Sequence, residues 1–367
     1  MVDCNLPIRA VLSAAFSVVI CMTASMTGAE ASDAPSPGAK VLGFIVSSMV
    51  WPDIERRMKA KEERSECPDG PVSTNRDNWQ VQFPTDADRQ RHLERCWDIQ
   101  NRGPNCENVW LNPQLVKDPL PFREVRGRSA YGRNLDGTPD GRATDRTCPH
   151  EKFTGVDGTE AIDNQYYRFI GCHKSLLSLA EPPNNLVSIQ KYALNRLVFE
   201  IAGVDDEQND DSVIVKIYRS SDLLVVDSER KAVPWQTHHV TGGPLYELHG
   251  RIKNGTLETD PADVYWAATF SQERLAFIRG MTFHLKLSPD GMEGMRAGYI
   301  DLKQLWEIYS HMGVTTGQLF YASAPAAYEA MHRLADGYKD PKSGVCTALS
   351  SAVKFSFVRA YVIHPQP

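Results

Sequence analysis

The run from Tyr131 to Cys172 holds the densest chemistry in the chain. Asp136, Asp140, Asp145, Asp157, Glu160 and Asp163 place six carboxylates within 28 positions. Glycine and proline punctuate the run, so it reads as a loop rather than a regular element. Carboxylates crowded in this way raise one another's pKa until a cation neutralises them. A hard, oxygen-seeking ion is one such cation. The sequence offers Asp136, Thr138, Asp140, Asp157, Asp163 and Asn164 as its ligands, with calcium as the expected ion.

The spacing is specific at one end of the run. With Asp136 as position one, Thr138 is position three, Asp140 position five and Gly141 the turn glycine at position six. Alternate side chains wrap a calcium ion in this way, and glycine permits the sharp turn. Over about 12 residues the stretch resembles the acidic calcium loops of EF-hand, dockerin and thrombospondin-repeat proteins. It departs from them in two places. Thr138 replaces an acidic residue, and Thr147 stands where a bidentate glutamate closes an EF-hand loop. The closing ligand is therefore expected from Asp157, Asp163 or Asn164.

Other residues offer other chemistry. His150 lies in the same loop, beside Cys148 and Glu151, as a candidate general base. His238-His239 is the most metal-like histidine pair. Neighbours in a strand point to opposite faces, which works against one shared ion. The run Asp205, Asp206, Glu207, Asn209, Asp210, Asp211 carries enough oxygens for a second calcium, or forms a solvated hairpin tip. Trp235, Trp266, Trp306 and Tyr246 are candidates for an aromatic sugar platform. No nucleophile elbow, zinc-protease helix, P-loop or dinucleotide fingerprint occurs. The net charge of −6 argues against a generic nucleic-acid binder, which needs a basic surface.

The elements around these residues begin with a targeting segment. Arg9, an apolar run from Ala10 to about Ala24, and Ala29-Glu30-Ala31 read as a signal peptide over residues 1–31. Export to a periplasmic or extracellular space follows, with no transmembrane span in the mature chain. Cleavage removes Cys4 and Cys21 and leaves Cys67, Cys96, Cys106, Cys148, Cys172 and Cys346. An even set in an oxidising compartment predicts three disulfides. The expected pairs are Cys148–Cys172, one bridge among Cys67, Cys96 and Cys106, and Cys346 with the cysteine left over.

Residues 32–180 read as an irregular, disulfide-tied region with a strand at Val41–Val50 and a helix over Asp86–Ile99. Glu181-Pro-Pro-Asn184 marks a boundary, with a short helix over about 186–194. Beyond it the hydrophobic period becomes two, through Leu197, Phe199 and Ile201, then Val213, Val215 and Ile217. Lys253-Asn254-Gly255 and Ser288-Pro-Asp-Gly291 supply turns. Helices are expected near 302–338 and a returning strand over Ala348–Ile363. Short strands with regular turns predict an antiparallel β-sandwich, jelly-roll-like, of about eight strands over residues 196–301 within a domain at 181–367.

The function expected from these features is an exported, calcium-stabilised binding or structural protein. Its partner is an unidentified ligand or another exported protein. The alternative is a secreted hydrolase acting on a polysaccharide, with a cleft between the sandwich and the 131–172 loop.

Overall fold

Strand β1 (Lys40–Val50) decides the architecture, because it pairs on both of its edges. The computed structural model describes residues 39–60, 66–173, 189–190, 195–267, 275–316 and 322–366. The expected signal peptide, the Glu181–Asn184 boundary and most of the helix expected over 186–194 lie outside these residues. The described residues all belong to one unit, Ser36–Pro367.

After β1 come three helices, α1 (Pro52–Ala60), α2 (Asn75–Gln82) and α3 (Asp86–Cys96). Two short strands follow, β2 (Ser129–Ala130) and β3 (Thr154–Gly155), then helix α4 (Gln165–Ile170). The strand-rich part then runs through β4 (Leu197–Val204), β5 (Asn209–Arg219), β6 (Gln236–His239) and β7 (Tyr246–Lys253). It continues through β8 (Thr256–Thr259), β9 (Ala262–Ala267), β10 (Leu275–Ser288) and β11 (Gly291–Asp301). Helices α5 (Leu302–Thr316) and α6 (Ala324–Leu334) precede β12 (Gly337–Lys339) and β13 (Cys346–Ile363).

The order β4-β5-β7-β8-β10-β11-β13 is an antiparallel meander, and β1 fills the gap between its ends. Phe44 pairs with Phe199 on one side and with Arg359 on the other. The result is a closed eight-stranded barrel, not the jelly-roll-like sandwich expected from the strand pattern. Both folds bury one face of each strand, so alternation cannot separate them. Closure depends on β1, which lies far upstream of the strands it joins. Closure also removes the open edges that a sandwich would have to protect.

The lumen is filled. Phe199 on β4 meets Phe283 on β10 at a ring-centroid distance of 5.3 Å, edge to face. These strands are not neighbours, so the contact crosses the barrel interior. Trp266, Phe355 and Phe357 complete the cluster. Each such pair contributes about 0.5–1.5 kcal/mol beyond burial alone. An eight-stranded barrel has just this width, enough for side chains to meet across it.

The helices begin where the sequence encodes caps. Thr74 and Asp77 exchange side-chain and backbone hydrogen bonds at the start of α2, and Thr85 and Asp88 do the same for α3. α3 ends at Cys96, and Trp97 adopts a left-handed conformation that leaves it 81 % exposed. The helix expected over Asp86–Ile99 therefore stops three residues early. Among the described residues no helix is long and apolar enough to cross a membrane.

The disulfides are Cys67–Cys172, Cys96–Cys106 and Cys148–Cys346. The bridge expected within Cys67, Cys96 and Cys106 is present as Cys96–Cys106. Cys148–Cys172 is not formed. The loop carries Cys148 onto the start of β13, whereas α4 delivers Cys172 to Cys67. Proximity along the chain is the weaker guide here. Each bridge is worth on the order of 2–4 kcal/mol, and those closing the longest loops restrict the unfolded chain most.

Candidate functional site

The loop from Tyr131 to Asn164 lies against β13 of the barrel and the short strand β12 that pairs with it. Cys148–Cys346 pins it, and main-chain bonds reinforce the seam. Cys148 donates to the Asp336 carbonyl at 2.9 Å, and Lys339 donates to the Arg146 carbonyl at 3.0 Å. Within the loop, Asp136 Oδ1 accepts from the Thr138 N–H at 2.8 Å, a local turn that Asp favours. Gly141 has φ +69°, and a Cβ there would meet the His150 carbonyl oxygen at 2.0 Å. Glycine is therefore required where the chain doubles back to bring up His150.

This fold-back assembles a buried charged cluster. His150 Nε2 lies 2.7 Å from Asp163 Oδ1, 3.9 Å from Asp136 Oδ2 and 3.8 Å from Asp336 Oδ2. Its Nδ1 lies 2.9 Å from the Cys148 carbonyl oxygen and so carries a proton. Lys152 Nζ sits 2.6 Å from Asp136 Oδ1 and 2.5 Å from Asp163 Oδ1. Asp163 Oδ2 accepts from the Leu135 N–H at 2.7 Å. The three carboxylate side chains are 0 % exposed.

Electrostatics follow from the burial. Burial lowers the His150 pKa, but the hydrogen bond to Asp163 and the charge of Asp336 outweigh it and leave the value raised. Burial raises Asp163, but its bonds to His150 and Lys152 leave it below the usual carboxylate range. Asp336 is pushed up to about 6, by burial first, with His150 opposing. Its Oδ1 accepts from the Ser350 N–H at 2.8 Å, while its Oδ2 has no hydrogen-bond partner. Burial and then the charges of Asp336, Asp163 and Asp136 raise the Tyr299 phenol well above its ordinary value.

The six residues expected to ligate calcium separate into two groups. Asp136 and Asp163 share Lys152, and Thr138 is hydrogen-bonded to Asp136. The other three are engaged elsewhere. Asp140 lies on the surface with Arg142 Nε at 3.0 Å. Asp157 accepts from the Thr159 N–H at 3.0 Å in an exposed turn. Asn164 caps α4 through the Tyr167 N–H at 3.1 Å and donates to the Tyr131 carbonyl at 2.8 Å.

Lys152 and Asp336 join the cluster without having stood out in the sequence. Lys152 had a signal, since positions two apart in an extended segment share a side with His150. Asp336 arrives from the turn between α6 and β12 and had none.

The remaining candidates go to separate places. His238 is buried, with Ser220 Oγ at 2.8 Å from Nδ1 and Gln236 Oε1 at 2.8 Å from Nε2. His239 is exposed and meets Asp222 Oδ2 at 2.8 Å, on the opposite face of β6. In the 205–211 hairpin, Asp210 accepts from the backbone N–H groups of Asp205 and Ser212, and Glu207 pairs with Arg359 at 2.6 Å. Trp266 faces the lumen, Trp306 stacks on Trp110, and Trp235 packs on Tyr361. Tyr246 spends its hydroxyl on the Tyr265 backbone. These aromatics do not form one platform.

A cleft of about 1350 Å³ opens between the loop and the barrel. Arg133, Arg146, Arg251, Arg279, Lys303 and Lys339 line it together with Asp136, Asp145, Glu258, Asp260, Asp301 and Asp340. Arg279 bonds to Asp301 at 2.6 Å, and its guanidinium lies 5.0 Å from the Tyr338 ring centre. Arg251 bonds to Glu258 at 2.8 Å. Asp136 and Tyr299 belong both to the cleft lining and to the buried cluster or its edge, so the cluster underlies the cleft.

No known protein family, curated protein or solved structure matches this chain.

Proposed function

We propose that the protein is an exported binding protein whose cleft between barrel and loop takes a polar, charged ligand. One observation carries the reading: a cleft of about 1350 Å³ walled by charged side chains of both signs on a disulfide-fixed scaffold. Small-molecule sites are commonly apolar with a few polar groups. A wall of guanidinium, ammonium and carboxylate groups instead favours a ligand that brings its own charges and hydroxyls. The filled lumen directs the ligand to the outer cleft.

In this reading calcium is not the loop's cement. Lys152 and His150 supply the positive charge that the clustered aspartates require, and three of the six expected oxygen ligands point elsewhere. A melt of the chelator-stripped, oxidised protein with and without excess calcium tests this point. The same melting temperature in both is expected; a rise of several degrees in calcium would restore the calcium-stabilised reading.

The ligand itself is tested by a thermal-shift panel of uronic and sulfated oligosaccharides, nucleotides and amino acids. A ligand bound at a hundred times its Kd stabilises the native state by about 2.7 kcal/mol. A hit that is also turned over would move the same cleft to the hydrolase alternative. A panel without a single shift would remove the binding reading.

A further inference from the structure

We propose that His150, Asp136, Asp163 and Asp336 form a binding site for a divalent transition ion of the zinc or manganese class. The inference goes beyond the cleft reading. An ion can bind here whether or not the cleft takes a ligand.

The histidine is oriented for the task. Its Nδ1–H donates to the Cys148 carbonyl at 2.9 Å, which turns Nε2 toward the three carboxylates. Metal-bound imidazoles are held by such an outer hydrogen bond, which fixes both the tautomer and the ring plane.

The spacing fits. Ligand atoms about 2.1 Å from one ion lie about 3.0–4.2 Å from one another, from adjacent to opposite positions. From Nε2 the three carboxylate oxygens lie at 2.7, 3.8 and 3.9 Å. Asp136, His150 and Asp163 each offer an atom within 4.8 Å of the others. Asp336 Oδ2 stands beside this group, 3.8 Å from Nε2, and closes on the ion from that side.

A second, independent observation points into the same place. Asp336 is 0 % exposed, and its Oδ2 has no hydrogen-bond partner, yet it aims at His150. A buried carboxylate oxygen left without a partner is costly, and native proteins rarely keep one without a reason. Without an ion, Lys152 and a protonated His150 face the three carboxylates; once an ion takes the place of the His150 proton, Lys152 alone remains against three negative charges. A divalent ion on a neutral His150 closes that balance while Lys152 remains on Asp136 and Asp163.

The donor set also selects the ion. Calcium takes six to eight oxygens. One imidazole nitrogen with carboxylates suits zinc, manganese or iron.

The test is calorimetric titration of the chelator-stripped, oxidised, tag-free protein with Zn²⁺, Mn²⁺ and Ca²⁺. One ion per chain is expected, with zinc or manganese at least tenfold tighter than calcium. His150→Gln and Asp336→Asn should each weaken it by about a hundredfold or more. His239→Ala, which removes the exposed pair of His239 with Asp222, should leave it unchanged. Bound Co²⁺ should show visible absorption bands that disappear in His150→Gln. Asp336→Asn retains an acceptor for the Ser350 N–H, so it reports ligand loss even where His150→Gln does not fold. No saturable binding, binding unchanged in both variants, or tighter binding of calcium overturns the proposal.

Discussion

Cys148 is bonded to Cys346, the first residue of β13, across a sequence separation of 198. This link fastens the acidic loop to the barrel wall and fixes one side of the cleft. Replacing both cysteines by serine should lower stability by about 2–5 kcal/mol. Peptide mapping without reduction should recover Cys148 with Cys346 and Cys172 with Cys67. Recovery of a Cys148–Cys172 peptide would contradict the architecture of the loop.

Lys152 holds two buried carboxylates, and its removal should be felt. Lys152→Met leaves Asp136 and Asp163 with one fewer cation in a site closed to water. Breaking one partner of a buried pair costs about 3–5 kcal/mol, because the other charge stays buried. Adding Asp136→Asn to Lys152→Met should recover part of the loss. Urea denaturation of the three proteins measures it, and additive losses would show that the two residues are not coupled.

The barrel core offers a second stability test. Phe283→Ala removes a ring that meets Phe199, Trp266 and Phe355. A loss of about 3–5 kcal/mol is expected for such a cavity. A loss below 1 kcal/mol would show that these rings do not share one lumen.

His173 predicts an acid limb in the stability profile. It is buried near Phe122 and Phe169, neither ring nitrogen has a partner among the described residues, and burial lowers its pKa to about 3. The unfolded chain binds a proton there near pH 6.5, and the folded chain does not. Stability from this residue is complete above pH 6.5 and falls by about 1.4 kcal/mol per pH unit below it, down to about pH 3. His173→Phe should flatten that limb relative to the wild type. Parallel profiles for the two proteins would contradict the assignment.

Much of this was legible in the chain. The period-two runs at Leu197–Ile201 and Val213–Ile217 became β4 and β5. The Asn254-Gly255 turn joins β7 to β8 with both residues at positive φ. His238 and His239 fall on opposite faces, as neighbours in a strand must.

What stayed hidden depends on distance along the chain. Barrel closure rests on Phe44 meeting both Phe199 and Arg359, and no local pattern reports such a pairing. The acidic loop announced a need for positive charge, and Lys152 and His150 were already inside it. Asp336, which completes the cluster, comes from another part of the chain and leaves no trace near the loop.

The central claim is that ligands enter the cleft between barrel and loop. Charge reversal at its rim tests this most directly, with Arg251→Glu and Lys303→Glu combined. Both residues line the cleft and lie outside the barrel core. For any ligand found by thermal shift, calorimetry should show at least a tenfold change in Kd relative to the wild type, with the unliganded melting temperature within a few degrees. An unchanged Kd in a folded variant would place the ligand elsewhere and contradict the account.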